Sequence, residues 1–303
     1  MKICIIGCGA VGLYYGARLQ KSGADVHYLL RGDFDAVKSD GIRVKAPDGN
    51  FHLPWVNAHR KSSQVGVCDL VIVALKATAN NSLQDLISPM MGESSRVLTL
   101  QNGLESDTTL ANLFGAGRVL GGLCFVCLNR TSPGVVENFH LGSVAIGNYR
   151  KEADVFLGEL AELFEKSGVE CKTYDDLRFA QWKKLVWNVP FNGLAIAAGG
   201  VTTDVILESE NLRKLAKFLM DEIIDAAAAL GMEIKPGFAD YQIEITYPMK
   251  AYKPSSLIDF LDGRPVEVEA IWGEALRQGQ AAGVAMPRLE MLYGLLRAVC
   301  SKS

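Results

Sequence analysis

Residues 2–12 read KICIIGCGAVG, and this stretch decides the fold of the first half of the chain. The run KICII is typical of a buried strand, and apolar residues at helical spacing over 10–22 predict a helix that ends before Gly23. The three glycines at this junction match the G-x-G-x-x-G pattern of a strand-to-helix turn. A second strand is predicted at 25–30, which places the pattern inside a βαβ unit.

Each glycine of the pattern has a physical role in that setting. The first allows a tight turn, the second lets the backbone approach a pyrophosphate, and the third lets the helix pack on the strand. The helix N-terminus then offers amide donors and a partial positive charge to the phosphates. A glycine-rich turn without a ligand is the alternative. The pattern predicts a dinucleotide site whose cofactor-binding residues are Gly7, Cys8, Gly9, Ala10, Val11 and Gly12.

Strand and helix signals alternate through the first half of the chain. Residues 68–75 are rich in β-branched side chains, as in a parallel strand that is covered on both faces. The alternation predicts an α/β fold with a Rossmann-type, doubly wound parallel sheet. The remaining predicted elements are strands at 96–100 and 118–126, hairpins turning at 46–50 and around 133–147, and a helix–strand pair at 152–173.

The character of the sequence changes after Asp175 and Asp176, where strand signals nearly disappear and helical periodicity dominates. We therefore predict a cofactor-binding domain at 1–175 and an all-α domain at 176–303 that carries substrate-binding and catalytic residues. The helices predicted in the second domain are 177–197, 209–230, 237–247, 266–282 and 287–300. The apolar helices among them, the second and the last, would support a homodimer.

The composition excludes several classes of protein. Of 303 residues, 49% are hydrophobic and 21% are charged, which is typical of a globular protein and not of a disordered chain. The net charge of −3 provides no basic field for nucleic acid or an anionic membrane, and no apolar run reaches the ~18–20 residues that span a bilayer. Seven scattered cysteines indicate reduced thiols, and no small-residue cleavage site follows the apolar N-terminal run. We expect a cytoplasmic protein with neither nucleic-acid nor membrane partners.

The end of the second predicted strand bears on the choice of cofactor. An NAD-specific site usually presents Asp or Glu there to the ribose hydroxyls, whereas this chain has Leu29-Leu30-Arg31-Gly32. A guanidinium can bind a 2′-phosphate through two hydrogen bonds, so Arg31 favours NADP (NADPH) over NAD. An ordinary solvated arginine is the alternative. Lys76, just beyond the strand at 68–75, is either a second cofactor contact or an exposed lysine.

The residues available for catalysis differ between the two predicted domains. All four histidines lie in the first domain, so an acid or base from the second must be Lys, Glu, Asp, Tyr or Cys. The histidine spacing matches no zinc motif, and we predict no metal site. Lys184, Asn188 and Asn192 recur every four residues and therefore share one helix face. Such a stripe is costly to bury without a ligand or partners; the alternative is the hydrated face of an amphipathic helix.

Seven motifs, spread over nearly the whole chain, occur in a definite order. They are the N-terminal G-x-G-x-x-G, Arg31, Leu75-Lys76-Ala77, Gln101-Asn102-Gly103, Trp182-x-Lys184-Leu185-x-x-Asn188-x-x-x-Asn192, Ser255-Ser256-Leu257 and Gly263-Arg264-Pro265-x-Glu267-Val268. In this order they resemble the ketopantoate reductases (2-dehydropantoate 2-reductases). The resemblance implies NADPH-dependent reduction of 2-dehydropantoate to pantoate, a step of pantothenate (vitamin B5) biosynthesis.

The resemblance also implies roles for individual residues. Lys184 matches the lysine that acts as general acid on the keto oxygen, and Glu267 matches the glutamate that works with it and contacts the cofactor. Asn102 matches an asparagine near both the nicotinamide and the substrate. By the same resemblance, the substrate-binding residues are Asn102, Lys184, Asn188, Asn192 and Ser256, and further cofactor contacts are Lys76 and the backbone at Cys127.

Three departures from the family pattern leave the substrate open, because single polar contacts can decide specificity. Val266 stands where the family often has Thr, and Trp272 stands where it often has Asn. Thr202 or Thr203 takes the place of a substrate-side Asn. Two alternatives therefore remain beside 2-dehydropantoate reduction: a reductase of another branched 2-keto acid, and a non-catalytic NADP sensor on the same scaffold.

Overall fold

A computed structural model of the chain describes residues 1–149 and 155–301, with every side chain in those ranges except that of Leu141. The chain divides into two compact units. The first unit comprises Met1–Gln101 and Ser106–Leu177, and the second comprises Asn102–Glu105 and Arg178–Ser303. The segment of residues 102–105, which the sequence places in the first predicted domain, thus groups with the second unit.

The described part of the first unit is built on one ten-stranded sheet. Its strands are β1 (Lys2–Ile6), β2 (Asp25–Leu29), β3 (Ile42–Lys45), β4 (Phe51–Leu53), β5 (Asn57–His59), β6 (Cys68–Val73), β7 (Met91–Thr99), β8 (Val119–Ser132), β9 (Val135–Asn148) and β10 (Cys171–Thr173). Their order is β4-β3-β9-β8-β7-β6-β1-β2-β5, with β10 paired to β9. All neighbours from β8 to β5 are parallel, whereas the β8–β9 and β3–β4 pairs are antiparallel.

Helices cover both faces of the parallel part of this sheet. They are α1 (Ala10–Lys21), α2 (Phe34–Asp40), α3 (Leu83–Ile87), α4 (Ser106–Phe114) and α5 (Val155–Lys166). Successive side chains of a strand point to opposite faces, so Ile3 and Ile5 pack with α1 and α5, whereas Cys4 and Ile6 pack with α3 and α4. Apolar layers on both sides of one sheet confirm the predicted doubly wound, Rossmann-type fold.

The observed strands differ from the predicted ones in three places, the first being β7, which begins at Met91, five residues before the predicted strand at 96–100. β5 was not predicted because three residues are too few to show a period of two. The hairpin expected around 133–147 turns at Pro133 and Gly134, and its first strand is the predicted strand 118–126 extended to Ser132. Residues 152–154 of the predicted helix–strand pair lie outside the described residues, and α5 and β10 form the rest of that pair.

The second unit is helical, as predicted, and encloses one apolar core. Its helices are α6 (Leu177–Ala197), α7 (Thr203–Glu208), α8 (Glu210–Ala229), α9 (Phe238–Glu244), α10 (Ser255–Leu261), α11 (Glu274–Ala281) and α12 (Pro287–Cys300). The short helices α7 and α10 were not predicted. The helix predicted at 266–282 instead begins with a π-helical turn, Glu269–Gly273, that leads into α11. Among the described residues, no helix combines the length and the apolar character that crossing a bilayer requires.

Candidate active site and cofactor loop

The glycine loop has the geometry that its sequence pattern predicts. Gly7 has a φ of +89°, and a Cβ on it would collide with the backbone nitrogen of Leu75, so a side chain is excluded. A Cβ on Gly12 would collide with the carbonyl oxygen of Gly7, because α1 lies directly against the loop backbone. Gly9 differs from both: it is exposed, and a Cβ there would meet no described atom within 4 Å. The loop therefore has no room for a side chain at Gly7 or Gly12, whereas its surface at Gly9 is open.

The N-terminus of α1 offers hydrogen-bond donors on this open side. Gly9 is its N-cap residue and has no side chain to accept hydrogen bonds from the first-turn amides. Those amides and the open surface at Gly9 fit the pyrophosphate of a dinucleotide. The side chain of Cys8 is turned toward β2, with Sγ 3.4 Å from the carbonyl oxygen of Leu29. Burial raises the pKa of the Cys8 thiol, which keeps it protonated and leaves only its backbone for a ligand.

Several charged side chains lie around the carboxyl end of β2. Arg31 is exposed. Asp33 is buried and accepts a hydrogen bond from the guanidinium of Arg130. Arg60, which follows β5, donates to both carboxylate oxygens of Asp35 (2.6 and 2.7 Å). Sequence reasoning missed Arg60 because β5 was not predicted, and missed Arg130 because 97 positions separate it from Asp33.

Other predicted cofactor contacts belong to the same unit. Because β1 and β6 are parallel, the half-buried Lys76 after β6 lies at the same sheet edge as the glycine loop. Gln101 donates to Asn80 Oδ1 (2.8 Å), which joins the segment after β6 to the one after β7. Cys127 is a buried residue of β8. Asn102, in contrast, belongs to the second unit.

A cluster of polar side chains surrounds α6 inside the second unit. Lys184 Nζ donates to Asn102 Oδ1 at 2.9 Å. Two turns further along, Asn192 Nδ2 donates to the backbone oxygen of Asn188 (3.1 Å), and Asn192 Oδ1 accepts from the backbone nitrogen of Ser256 (3.0 Å). Asn188, Asn192 and Ser256 are exposed by 8%, 2% and 3%. The two asparagines of the stripe on α6 are therefore buried, whereas Lys184 is half-buried.

The π-helical turn provides the group that holds the 102–105 segment in this unit. The backbone nitrogen of Glu274 donates to the oxygen of Glu269, one residue further back than in an α-helix. The carbonyl that this shift bypasses is that of Ala270, and it accepts a hydrogen bond from the backbone nitrogen of Leu104 (2.9 Å). A local irregularity of one helix thus becomes a docking point for a distant segment.

Gly103 allows the close approach at that docking point. Its φ is +83°, and a Cβ on it would collide with the carbonyl of Ala270. The motif Gln101-Asn102-Gly103 therefore has a structural reason for its glycine, because the glycine brings Asn102 within hydrogen-bond distance of Lys184. Sequence reasoning found Asn102 and Lys184 separately; the docking between them carries no local signal.

Glu267 lies just before the π-helical turn, and Trp272 is the fourth residue of the turn. Glu267 is 4% exposed and lies in the segment just before the turn. Trp272 is fully buried, and its indole Nε1 donates to the backbone oxygen of Val189 in α6 (2.9 Å). A Cβ on Gly193 would lie 2.8 Å from the same Nε1, so the indole packs directly on the α6 backbone. The departure from the family at position 272 therefore places a buried aromatic side chain against α6 at Val189 and Gly193.

The described side chains form no metal centre. Within residues 1–149 and 155–301, no three His, Cys, Asp or Glu side chains converge in a way that could hold a metal ion. All seven cysteines are free thiols. The second unit contains a lysine bonded to an amide, Lys184 and Asn102, and a buried carboxylate, Glu267.

Two family models match the two parts of the chain. The model described as "Ketopantoate reductase PanE/ApbA" matches residues 3–151, and "Ketopantoate reductase PanE/ApbA C terminal" matches residues 176–300. The chain belongs to the ketopantoate reductase family. Membership in the ketopantoate reductases confirms the resemblance drawn from the seven motifs and makes the protein an oxidoreductase of this family.

The sequence similarity to proteins named 2-dehydropantoate 2-reductase covers nearly the whole chain. The 2-dehydropantoate 2-reductase of Nostoc sp. is 37% identical over 301 residues, which cover 98% of this chain and 94% of the relative. The crystal structure of 2-dehydropantoate 2-reductase from Geobacter metallireducens GS-15 is 44% identical, with a TM-score of 0.96, and covers 98% of this chain and 99% of that one. The ternary structure of D-mandelate dehydrogenase with NADH and anilino(oxo)acetate has the same fold, with a TM-score of 0.91 at 23% identity and coverage of 100% and 99%.

Proposed function

We propose that the protein reduces 2-dehydropantoate to pantoate with NADPH, as a cytoplasmic step of pantothenate biosynthesis. The observation that carries this proposal is the 2.9 Å hydrogen bond from Lys184 Nζ to Asn102 Oδ1, beside a buried stripe of amides on α6. The identity with proteins named 2-dehydropantoate 2-reductase supports the substrate. The open glycine loop supports the dinucleotide.

The cofactor, when bound, supplies the hydride that the keto carbon receives. The residues that would hold it are the backbone of Gly7, Cys8, Gly9, Ala10, Val11 and Gly12 for the pyrophosphate, Arg31 for the 2′-phosphate, and Lys76, the Cys127 backbone, Asn102 and Glu267 for further contacts. The charge of Arg31 and the bare amides of α1 match the anionic groups of NADPH.

Lys184 acts as the general acid. As the keto carbon is reduced, negative charge develops on its oxygen, and an ammonium directed there stabilises the charge and then donates the proton. Asn102 accepts one Nζ–H bond, which fixes the direction of the lysine side chain. As the family resemblance implies, Glu267 works with Lys184, since a carboxylate close to a lysine favours the ammonium form that the step requires.

Asn188, Asn192 and Ser256 bind the carboxylate and hydroxyl of the substrate. The side-chain oxygen of Asn192 and one of its N–H groups are already engaged by Ser256 and Asn188. Its second N–H donor can meet the substrate, so Asn192 both binds and positions its neighbours. These groups are buried and therefore present few competing hydrogen bonds from water.

We also propose that the protein forms a homodimer through α8 and α12. Met291, Leu295 and Val299 of α12 are 66%, 50% and 40% exposed, which is costly for a monomer in water. Sedimentation equilibrium measures the state directly. A single monomeric species over the micromolar range would contradict the dimer without affecting the proposed reaction.

A steady-state assay of NADPH oxidation tests the reaction. We expect the highest kcat/KM with 2-dehydropantoate among a panel of branched, linear and aromatic 2-keto acids. A higher kcat/KM with another branched acid would change the substrate but keep the chemistry. Tight NADPH binding without turnover of any acid would show a cofactor sensor instead of an enzyme.

A further inference from the structure

A buried carboxylate lies close to where an NAD-specific protein presents its acidic residue. Asp33 follows Arg31 by two positions and is 9% exposed. One of its oxygens accepts a hydrogen bond from Arg130 Nη1, and the other accepts from the backbone nitrogen of Gly134 at 3.3 Å. Both partners belong to the β8–β9 hairpin. The carboxylate of Asp33 is therefore directed at the hairpin, whereas Arg31 is exposed.

The tip of that hairpin is held against the segment that Asp33 begins. A Cβ on Gly134 would lie 2.9 Å from the carbonyl oxygen of Gly41 and 3.2 Å from Val37 Cγ2, at the end of α2. The backbone of Arg43 donates to the oxygen of Gly134 (2.9 Å) on the other side. The partners of Asp33 are thus fixed by backbone contacts that do not depend on a ligand.

The charge of Asp33 is also close to the glycine loop. Burial, and then the neighbouring Cys4 thiol and the Asp33 carboxylate, raise the pKa of the Cys8 thiol. Cys8 belongs to the loop that would hold the pyrophosphate, and Arg31 belongs to the turn that would hold the adenosine end. An unpaired carboxylate at this position would repel a 2′-phosphate and could accept hydrogen bonds from ribose hydroxyls.

We propose that the Arg130–Asp33 pair sets the preference for NADPH over NADH, by neutralising a carboxylate that would otherwise favour NADH. This inference rests on the proposed use of NADPH and of Arg31. Arg130 is a positioning residue, because it acts through Asp33 and not on the cofactor. The cofactor specificity of the site thus depends on two cations: the exposed Arg31 at the end of β2, and Arg130, 99 positions later in β8.

The test is a pair of variants and a measurement of cofactor binding alone. In Arg130→Met we expect the Kd of NADPH, measured by the fluorescence of the bound cofactor, to rise about fivefold or more, and that of NADH to stay equal or fall. Adding Asp33→Asn removes the charge and keeps an amide oxygen for the Gly134 N–H. We expect this double variant to return the ratio of the two Kd values to within about twofold of wild type.

Arg43→Met is the matched control. It removes one positive charge from an exposed side chain whose backbone bonds to Gly134 in the hairpin turn. The variant should leave the ratio of the two Kd values unchanged. A loss of NADPH affinity in the double variant as large as in Arg130→Met would assign the effect to lost packing and overturn the proposal. An unchanged ratio in Arg130→Met would overturn it as well.

Arg31→Ala separates this inference from the proposed function. If wild type binds NADPH and NADH equally, both the NADPH assignment and the role of Arg130 fail. If Arg31→Ala abolishes a preference that Arg130→Met leaves intact, the NADPH assignment stands and the role of Arg130 alone is wrong.

Discussion

Lys183 and Lys184 are adjacent in α6 and meet different surroundings. Consecutive residues of a helix are about 100° apart, so the two side chains leave the helix in different directions. Lys183 Nζ lies 5.5 Å and 5.0 Å from the ring centroids of Phe179 and Phe238, whereas Lys184 donates to Asn102. The chain thus offers a matched pair of lysines, one over aromatic rings and one in the polar cluster.

Lys184→Met should fold, bind NADPH and lose kcat by about 10²-fold or more, the scale of general acid catalysis. Lys183→Met removes the same charge one residue away and should keep nearly normal turnover. Steady-state kcat and a cofactor titration on both variants check this. Normal kcat in Lys184→Met would mean that another group donates the proton.

Arg31→Ala should raise the Kd of NADPH by about tenfold or more and change that of NADH little, because the lost contact is a charge-assisted bond to the 2′-phosphate. Equilibrium titration with each dinucleotide measures the two effects. An equal loss of affinity for both cofactors would show that Arg31 stabilises the turn after β2 and does not bind the 2′-phosphate.

Among the elements, β2 and β5 carry a histidine pair. The Nδ1 of His27 lies 2.9 Å from Nε2 of His59, and Nε2 of His27 lies 3.2 Å from a carboxylate oxygen of Asp25. Since the ionised carboxylate only accepts, His27 donates to Asp25 through Nε2 and, when neutral, accepts from His59 through Nδ1. Only one of the two facing ring nitrogens can carry a proton while this hydrogen bond is present. Both rings therefore cannot be protonated on both nitrogens unless the hydrogen bond between them breaks.

This pair predicts a pH-dependent stability. Burial lowers the pKa of His59, and the nearby His27, Lys2 and Lys38 lower it further. At a pH below the ordinary histidine pKa, the unfolded chain therefore binds more protons than the folded chain. Stability should therefore fall as the pH drops from about 7.5 toward about 5. His59→Gln keeps an N–H donor for His27 and should show a smaller fall in the free energy of unfolding in urea. Parallel declines in both proteins would contradict the role of His59.

The π-helical turn and the glycine that docks on it make a second element-scale prediction. Gly103→Ala introduces a Cβ against the Ala270 carbonyl and should displace Asn102 from Lys184, lowering kcat by about tenfold or more. Gly115→Ala is the control, because Gly115 has a φ of +93° and open space around it, so it adds backbone strain without that collision. Equal turnover in the two variants would show that the docking does not position Asn102.

For the molecule as a whole, sequence reasoning succeeded where a pattern is local and long. The helix predicted at 177–197 has the bounds of α6, and the strand runs at 2–6 and 68–75 contain β1 and β6. Periodicity also placed Lys184, Asn188 and Asn192 on one face. It could not tell whether that face is hydrated or buried, because the helices that cover it come from distant sequence.

The features that the sequence did not predict depend on contacts between positions far apart in the chain. Asn102 groups with the second unit through a carbonyl of Ala270, and Asp33 is held by Arg130, 97 positions away. β5 has too few residues to produce a recognisable period, although it places Arg60 beside the end of β2. A one-residue shift in a helix, such as the π-helical turn, leaves no mark in the hydrophobic pattern.

The chain passes between its two units three times, after Gln101, after Glu105 and after Leu177. A gene fragment that began at Arg178 would therefore encode Lys184 without Asn102, and the Ala270 carbonyl would lose the Leu104 amide that it binds. A single crossover between homologous genes at the domain boundary would mix an Asn102–Glu105 segment from one parent with a π-helical turn from the other. Such a hybrid would keep the Leu104–Ala270 hydrogen bond only if the segment of one parent fits the π-helical turn of the other.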